Sequence, residues 1–254
     1  MRLVSYNILD GGTGRADPLG DVLAAMGPGL VALVEAEDVA VVDHIARRLD
    51  MQFLHAPGNS HASTLLTHWP VVESINHAPL HKTLEKSFLE ATVLEPGGKE
   101  WTLGVVHLHA RALDADEDQR ERELDVVLKA FEPHRISGRP HLLCGDFNAN
   151  APCQRVDPAR CKPRTREEWA RNGGRLPRRV VQRILNEGYV DTLGVFDPGA
   201  AQSVGTFTTE FPGQRVDYLF AYGFERQRLK QAWVHQSSPA KDASDHFPVG
   251  VELE

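Results

Sequence analysis

The chain has 254 residues, of which 41% are apolar and 25% charged, and its formal net charge is −7. This is the make-up of an ordinary globular protein able to bury a sizeable core, and we read one domain over residues 1–254. The acidic balance weighs against an obligate nucleic-acid binder, and no apolar run approaches the roughly 20 residues of a membrane-spanning helix.

From the amino terminus, MRLVSYNIL reads as a strand over residues 3–7 rather than a leader, because no small-residue cleavage site follows. Apolar spacing predicts a helix over 17–26, a strand over 30–35 and a helix over 38–49. Strands are expected over 63–67, 71–77, 88–94 and 101–107, with the Pro-Gly-Gly of LEPGGKEW closing a hairpin between the last two. A helix over 116–131 puts Leu124, Val127, Leu128 and Phe131 on one face, with Pro133 after its end. A strand over 141–146 runs into LLCGDFNAN, a buried run that delivers an Asp and an Asn to its tip. A short helix over 178–186 follows, then strands over 206–209, 216–221, 231–235 and 249–253. Groups of strands separate the helices, which favours two packed sheets with helices outside over a doubly wound parallel sheet.

One stretch differs in charge. Between Arg155 and Arg183 there are ten Lys or Arg and three Asp or Glu, a local balance of +7 that leaves −14 for the rest of the chain. It reads as a basic insertion or loop at about 150–185. The three cysteines, Cys144, Cys153 and Cys161, form no CxxC pair. They fit a reducing, cytoplasmic compartment.

Polar groups close the apolar runs: Asn7, Glu35, His107, Asp146 with Asn148, Asp217, and Asp245 with His246. Singly, each has an ordinary reading. An Asn after a strand forms turns, a Glu there suits a helix start, and a His within a sheet is usually satisfied by its neighbours. Their joint order is more specific. SYNIL at 5–9, LVALVE at 30–35, VVHL at 105–108, CGDFNA at 144–149, RVDYLF at 215–220 and SDHFPV at 244–249 resemble the endonuclease/exonuclease/phosphatase superfamily. That superfamily includes DNase I-like nucleases, exonuclease III-type enzymes, inositol polyphosphate phosphatases and bacterial sphingomyelinases. The resemblance implies a four-layer α/β/β/α sandwich of two mixed sheets flanked by helices, with the site where loops of both sheets meet.

Hydrolysis of an anionic phosphodiester needs charge neutralisation and an activated water, and a hard divalent cation on oxygen ligands helps with both. Glu35 is the first candidate for direct coordination of Mg2+, for which Mn2+ could substitute, and Asn7 and Asp245 would coordinate directly or through water. Asp146 would activate the water and Asn148 would position it. The resemblance makes Asp217 the orienting partner of His246, which would stabilise charge on the phosphate, and makes His107 a second donor or the general acid. His109 competes with His107, since alternation puts both on one face. One departure stands out: where several nucleases of the family carry an acid two residues after the first Asn, this chain has Leu9, with Asp10 offset by one.

The substrate is less legible. Arg111, Arg178, Arg179 and Arg183 are candidate phosphate contacts, while Arg120 reads as part of a solvated helix face. Trp69, Trp169 and Tyr189 could stack on a base or serve the core. The basic stretch could follow several phosphates, clamp one headgroup, or be a solvated insert. The first hypothesis is therefore a Mg2+-dependent phosphodiesterase acting on nucleic acid, with a monomer as the working state. The alternatives are a phosphatase on inositol phosphates, phospholipids or other small phosphorylated compounds, and a non-catalytic binding module. A zinc hydrolase lacks the helical His pair it would need.

Overall fold

Period-two alternation sorts the apolar side chains into layers in the computed structural model, which describes residues Met1–Glu254. The strands are β1 (Arg2–Asn7), β2 (Leu30–Val34), β3 (Gln52–Ala56), β4 (Ser63–Thr67), β5 (Val71–Asn76), β6 (Ser87–Glu95), β7 (Lys99–His107), β8 (His141–Asp146), β9 (Val190–Asp191), β10 (Asp217–Tyr222), β11 (Leu229–Val234) and β12 (Val249–Leu253). The helices are α1 (Ala16–Met26), α2 (Val39–Arg48), α3 (Asp114–Ala130), α4 (Glu132–Ile136), α5 (Pro163–Arg171), α6 (Arg179–Asn186), α7 (Thr192–Phe196), α8 (Pro198–Ser203) and α9 (Ser238–Ala243).

Two six-stranded sheets form, in the orders β11-β12-β1-β2-β4-β3 and β5-β6-β7-β8-β10-β9. Each has one parallel pair, β1 with β2 and β7 with β8, flanked by antiparallel strands. Leu3, Ala32 and Val34 of the first sheet meet Leu103, Val105, Leu142 and Cys144 of the second in the central layer. The intervening residues Val4, Tyr6, Val31 and Leu33 face α1, α2 and α9. Val106 and Leu143 face α3 and α6. The result is the α/β/β/α sandwich. Each buried Leu or Val is worth roughly 1.5–3 kcal/mol, so the central layer makes a stiff platform for the strand ends.

Local chemistry sets the connections. Asp38 caps α2 by accepting from Ala40 N at 3.0 Å and Val41 N at 3.4 Å. Gly27 ends α1 in the left-handed conformation, φ 57°.

Several features depart from the sequence reading, among them the short helices α4, α7, α8 and α9, which it did not expect. The expected strand over 206–209 is absent, and Phe207 makes only isolated bridges to Gln214 and His246. The reason is local: Thr206 Oγ1 accepts from Val216 N and Asp217 N at 3.0 and 3.2 Å, and Thr208 Oγ1 from Phe211 N at 2.9 Å. Side-chain oxygens thus take donors a ladder would need. β3 and β9 are additional edge strands, and the basic stretch holds α5 and the start of α6. All three cysteines are free thiols, Cys144 and Cys161 buried.

Candidate active site

The register brings the polar tips together. Asn7 ends β1 beside Val34 of β2, His107 ends β7 opposite Asp146 of β8, and Asp146 in turn lies opposite Asp217 of β10. Gly145 makes this approach possible. Its φ is 133°, and a Cβ there would lie 1.9 Å from the Val106 carbonyl oxygen. Glu35 and Asn148 turn their chains sharply, with φ of 54° and 50°. Such left-handed positions are uncommon for residues other than Gly and gather at functional sites.

Asp146 is the hub. Its Oδ2 accepts from Asn7 Nδ2 at 3.2 Å and lies 3.5 Å from His107 Nε2 and 3.8 Å from His246 Nε2. Its Oδ1 accepts from Asn148 N at 2.9 Å. Asn7 Nδ2 also donates to Glu35 Oε1 at 3.0 Å, whose other oxygen accepts from Asp10 N at 3.0 Å. His246 Nδ1 meets Asp217 Oδ2 at 2.9 Å, and Asp245 Oδ1 lies 3.9 Å from His246 Nε2. All the catalytic and metal candidates of the sequence reading therefore share one cluster. Two act differently in detail. Asn7 offers its amide NH2 to the carboxylates, because its Oδ1 accepts from Leu9 N at 3.0 Å, an orientation inferred from the hydrogen-bond network. Asn148 commits its Nδ2 to Leu108 O at 3.0 Å.

Charges follow from the neighbours. Burial works to raise the Glu35 carboxyl, but His107, Asp10 N and Asn7 hold it down at about 2. Burial likewise opposes ionisation of Asp146, yet His107, His246 and Lys86 hold its carboxyl well below the usual range. Burial, then Lys86, pushes His107 down to about 4. Burial alone would also lower His246, but Asp217 overrides it and raises the imidazole to about 10. Asp217 is itself raised by burial and by Asp146 while His246 pulls it down. The 2.9 Å contact favours the charged His246–Asp217 pair over two neutral groups. Burial raises Asp245.

Four carboxyls thus face two cations, Lys86 and His246, an imbalance that suits a divalent cation. Asp245 Oδ1 is buried without a hydrogen-bond partner, as an oxygen waiting for a ligand would be. Ligand atoms of Asp146, Asp217 and His246 also lie within 4.8 Å of one another. However, His246 and Asp217 are already joined, so Glu35 and Asp245 are the freer hard donors.

Lys86 carries no signal in the sequence. It lies just before β6, is buried, and its Nζ is 2.7 Å from His107 Nε2. Gly58 lets this loop pack, since a Cβ there would meet Lys86 O at 2.5 Å. No periodicity marks Lys86 in LEKSF; only the fold turns it inward.

Other candidates lie elsewhere. His109 is held by Glu85 and by Asp116 at 3.0 Å, which leaves His107 as the one of that pair that joins the cluster. Arg120 is not on a solvated face: it is 1% exposed, bonded to Glu117 at 2.8 and 2.9 Å, and donates to the carbonyls of His109 and Arg111. Burial of α3 against the 109–111 loop explains the difference. The guanidinium groups of Arg178, Arg179 and Arg183 are engaged by the fold. Arg178 donates to Ala151 O, Pro152 O and Gln154 O, while Arg179 and Arg183 pair with Asp118, Glu121 and Asp125 of α3. Tyr189 packs in the core on His141 and Tyr222. Trp169 is buried near Arg111, and Trp69 is half-buried beside β4.

A model of the endonuclease/exonuclease/phosphatase family matches residues 4–246. A search of curated proteins gives no match. Among solved structures, a 3' phosphatase from Neisseria bound to product DNA hairpin is 18% identical with a TM-score of 0.73, the match covering 100% of this chain and 99% of that one. An AP endonuclease from Archaeoglobus fulgidus is 16% identical, TM-score 0.73, with coverage of 100% and 99%. An endonuclease/exonuclease/phosphatase from Beutenbergia cavernae is 19% identical, TM-score 0.69, with coverage of 100% and 71%. At these identities the likeness shows the fold.

Proposed function

The chain belongs to the endonuclease/exonuclease/phosphatase family of phosphoesterases, and on that premise we propose that it hydrolyses phosphodiester bonds with a bound divalent cation, Mg2+ or Mn2+. The observation that carries this is the buried Asp146 carboxyl, held among Asn7, Asn148, His107 and His246. Glu35 and Asp245 would hold the cation, with Asn7 keeping Glu35 in place. Such a cation supplies charge neutralisation at the phosphate and a more acidic water.

The side chains divide the remaining work. Asp146 takes the proton of the attacking water as its oxygen bonds to phosphorus; the ester P–O bond breaks, and the leaving oxygen takes up a proton from solvent. Asn148 fixes the carboxylate through its backbone N–H and leaves part of its amide to position the water. His246, kept charged by Asp217, donates from Nε2 to a phosphate oxygen and steadies the charge that develops there. His107 stays neutral, and Lys86 beside it, made less basic by burial but supported by Asp146 and Glu35, would supply positive charge. Nucleic acid is the first substrate reading, as one structural neighbour is named as bound to product DNA and another as an AP endonuclease. A small phosphorylated compound is the second, favoured because Arg178, Arg179 and Arg183 are engaged by the fold.

The test is a panel of single- and double-stranded DNA, abasic duplex, RNA, bis-p-nitrophenyl phosphate and inositol phosphates, with Mg2+ or Mn2+ and with EDTA. Asp146→Asn should cost on the order of 10²-fold or more in kcat. Polymer cleavage lost in the variant supports the nuclease. Release of phosphate from small compounds alone moves the protein to the phosphatase reading. Equal rates in EDTA, or in Asp146→Asn, would overturn the metal or the base.

A further inference from the structure

Beside Asn148 lies a pocket of about 180 Å3 whose wall includes Arg111, Asn150, Lys162, Arg164, Trp169 and Phe207. Two of its polar atoms, Asn150 Oδ1 and Trp169 Nε1, have no hydrogen-bond partner. Their residues are only 5% and 3% exposed. Leaving a buried donor or acceptor unpaired is costly, so both point to something the pocket takes up.

The pocket is also cationic. Its one carboxylate, Glu168, is 3.5 Å from Arg111 and 3.3 Å from Arg164 and accepts from Ala112 N at 2.9 Å. Arg120, at the back, is matched by Glu117. Arg111 and Arg164 therefore share one carboxylate, and Lys162 adds a third cation to the wall. Arg111 holds a left-handed backbone, φ 81°. Arg120 secures that turn by donating to Arg111 O at 2.7 Å and His109 O at 3.1 Å. A buried ion pair thus maintains a strained position whose side chain borders the pocket.

The pocket joins the active site. Asn148 lines it and also binds Asp146. Phe207 packs against the His246 ring at 4.7 Å. Lys162 borders both this pocket and the cavity that contains Asp245.

We propose that this pocket is a subsite for a second phosphate of the substrate, next to the ester that is cleaved. Arg111, Lys162 and Arg164 form its cationic wall. Trp169 Nε1 donates to a phosphate oxygen, and Asn150 Oδ1 accepts from a hydroxyl on the same molecule. At about 30 Å3 per water, the volume suits a phosphoryl group and its attached carbon. The substrate class is then a compact phosphate ester with a second phosphate and a free hydroxyl, from a nucleotide end or a polyol bisphosphate. The inference rests on the phosphoesterase reading.

The test is calorimetric binding, with Mg2+, to the full chain carrying Asp146→Asn so that probes are not consumed. The probes are adenosine 5'-monophosphate, adenosine 3',5'-bisphosphate and inositol 1,4-bisphosphate. At least one bisphosphate should bind tenfold or more tightly than the monophosphate, and Lys162→Gln with Arg164→Gln should remove most of that gain. Both residues are exposed, so the fold should tolerate the change. A gain with only the adenosine compound marks the nucleotide source, and with only the inositol compound the polyol. No gain, or a gain that survives the double substitution, would overturn the subsite. Hydrolysis of bis-p-nitrophenyl phosphate by the unsubstituted chain is measured alongside. Turnover without a bisphosphate gain removes the subsite alone. A gain in a chain with no turnover on any ester removes the phosphoesterase reading and leaves a phosphate-binding pocket.

Discussion

His107 and His246 are the same residue in nearly the same place, and they carry opposite charge states. Both are buried, His107 at the end of β7 and His246 just before β12, 3.5 and 3.8 Å from the same Asp146 oxygen. Burial and Lys86 push His107 down to about 4, while Asp217 lifts His246 to about 10 against burial. The neighbour within 3 Å makes the difference: Asp217 overrides burial at His246, whereas Lys86 adds to burial at His107. It gives the two sides of the site different tools: a charged donor supported by β10, and a neutral ring beside a lysine at the start of β6.

The largest effect should come from breaking the charged side. His246→Ala is expected to lower kcat by about 10²-fold or more while the unfolding midpoint shows an intact fold. Asp217→Asn keeps the shape but removes the anion, so burial should win and the imidazole should be charged only at lower pH. Its kcat should fall similarly, with the residual activity shifted toward acid. Near-normal turnover at neutral pH in Asp217→Asn would show that the charge on His246 is not what the reaction uses.

The same contrast predicts a stability signature in EDTA. His107 has a folded value near 4, below the ordinary 6.5, so its stabilisation is present above pH 6.5 and is lost as pH falls toward 4. His246 is raised, so its contribution is present below pH 6.5 and is lost as pH rises toward about 10. Urea midpoints across that range should fall on both sides. His107→Gln should flatten the acid limb and His246→Gln the alkaline limb, each by at least ~1 kcal/mol, roughly what a tenfold change in proton affinity is worth. Parallel curves for all three proteins would erase the contrast.

Much of this site was legible because strand ends are legible. Apolar alternation locates β1, β2, β7, β8, β10 and β12, and their terminal polar residues follow directly. Register then does what spacing cannot: it sets Asp146 beside both His107 and Asp217. Lys86 was hidden because a lysine between Glu85 and Ser87 reads as a solvated turn until the loop folds inward. Arg120 was hidden because the first half of α3, residues 114–123, is almost entirely charged or polar, and burial of its Glu117 pair depends on a loop that no helical period reports. Residues 206–209 looked like a strand because Thr and Phe favour sheets, yet their hydroxyls captured the backbone instead.

The smallest effect tests whether neighbours govern the basic stretch too. Lys162 and Arg164 border the pocket beside the active site, whereas Arg179 and Arg183 meet acids of α3, with Arg183 at 2.5 Å from Asp125 and Arg179 at 3.1 Å from Glu121. These pairs are exposed, and exposed pairs contribute about 0.2–1 kcal/mol each. Arg179→Gln with Arg183→Gln should therefore lower stability only slightly and leave the salt dependence of KM as it was. Lys162→Gln with Arg164→Gln should flatten that dependence, since each lost phosphate contact removes part of the slope. If the α6 pair flattened it instead, the ion pairs with α3 would have to open on binding, and the whole stretch would act as a phosphate track despite its internal partners.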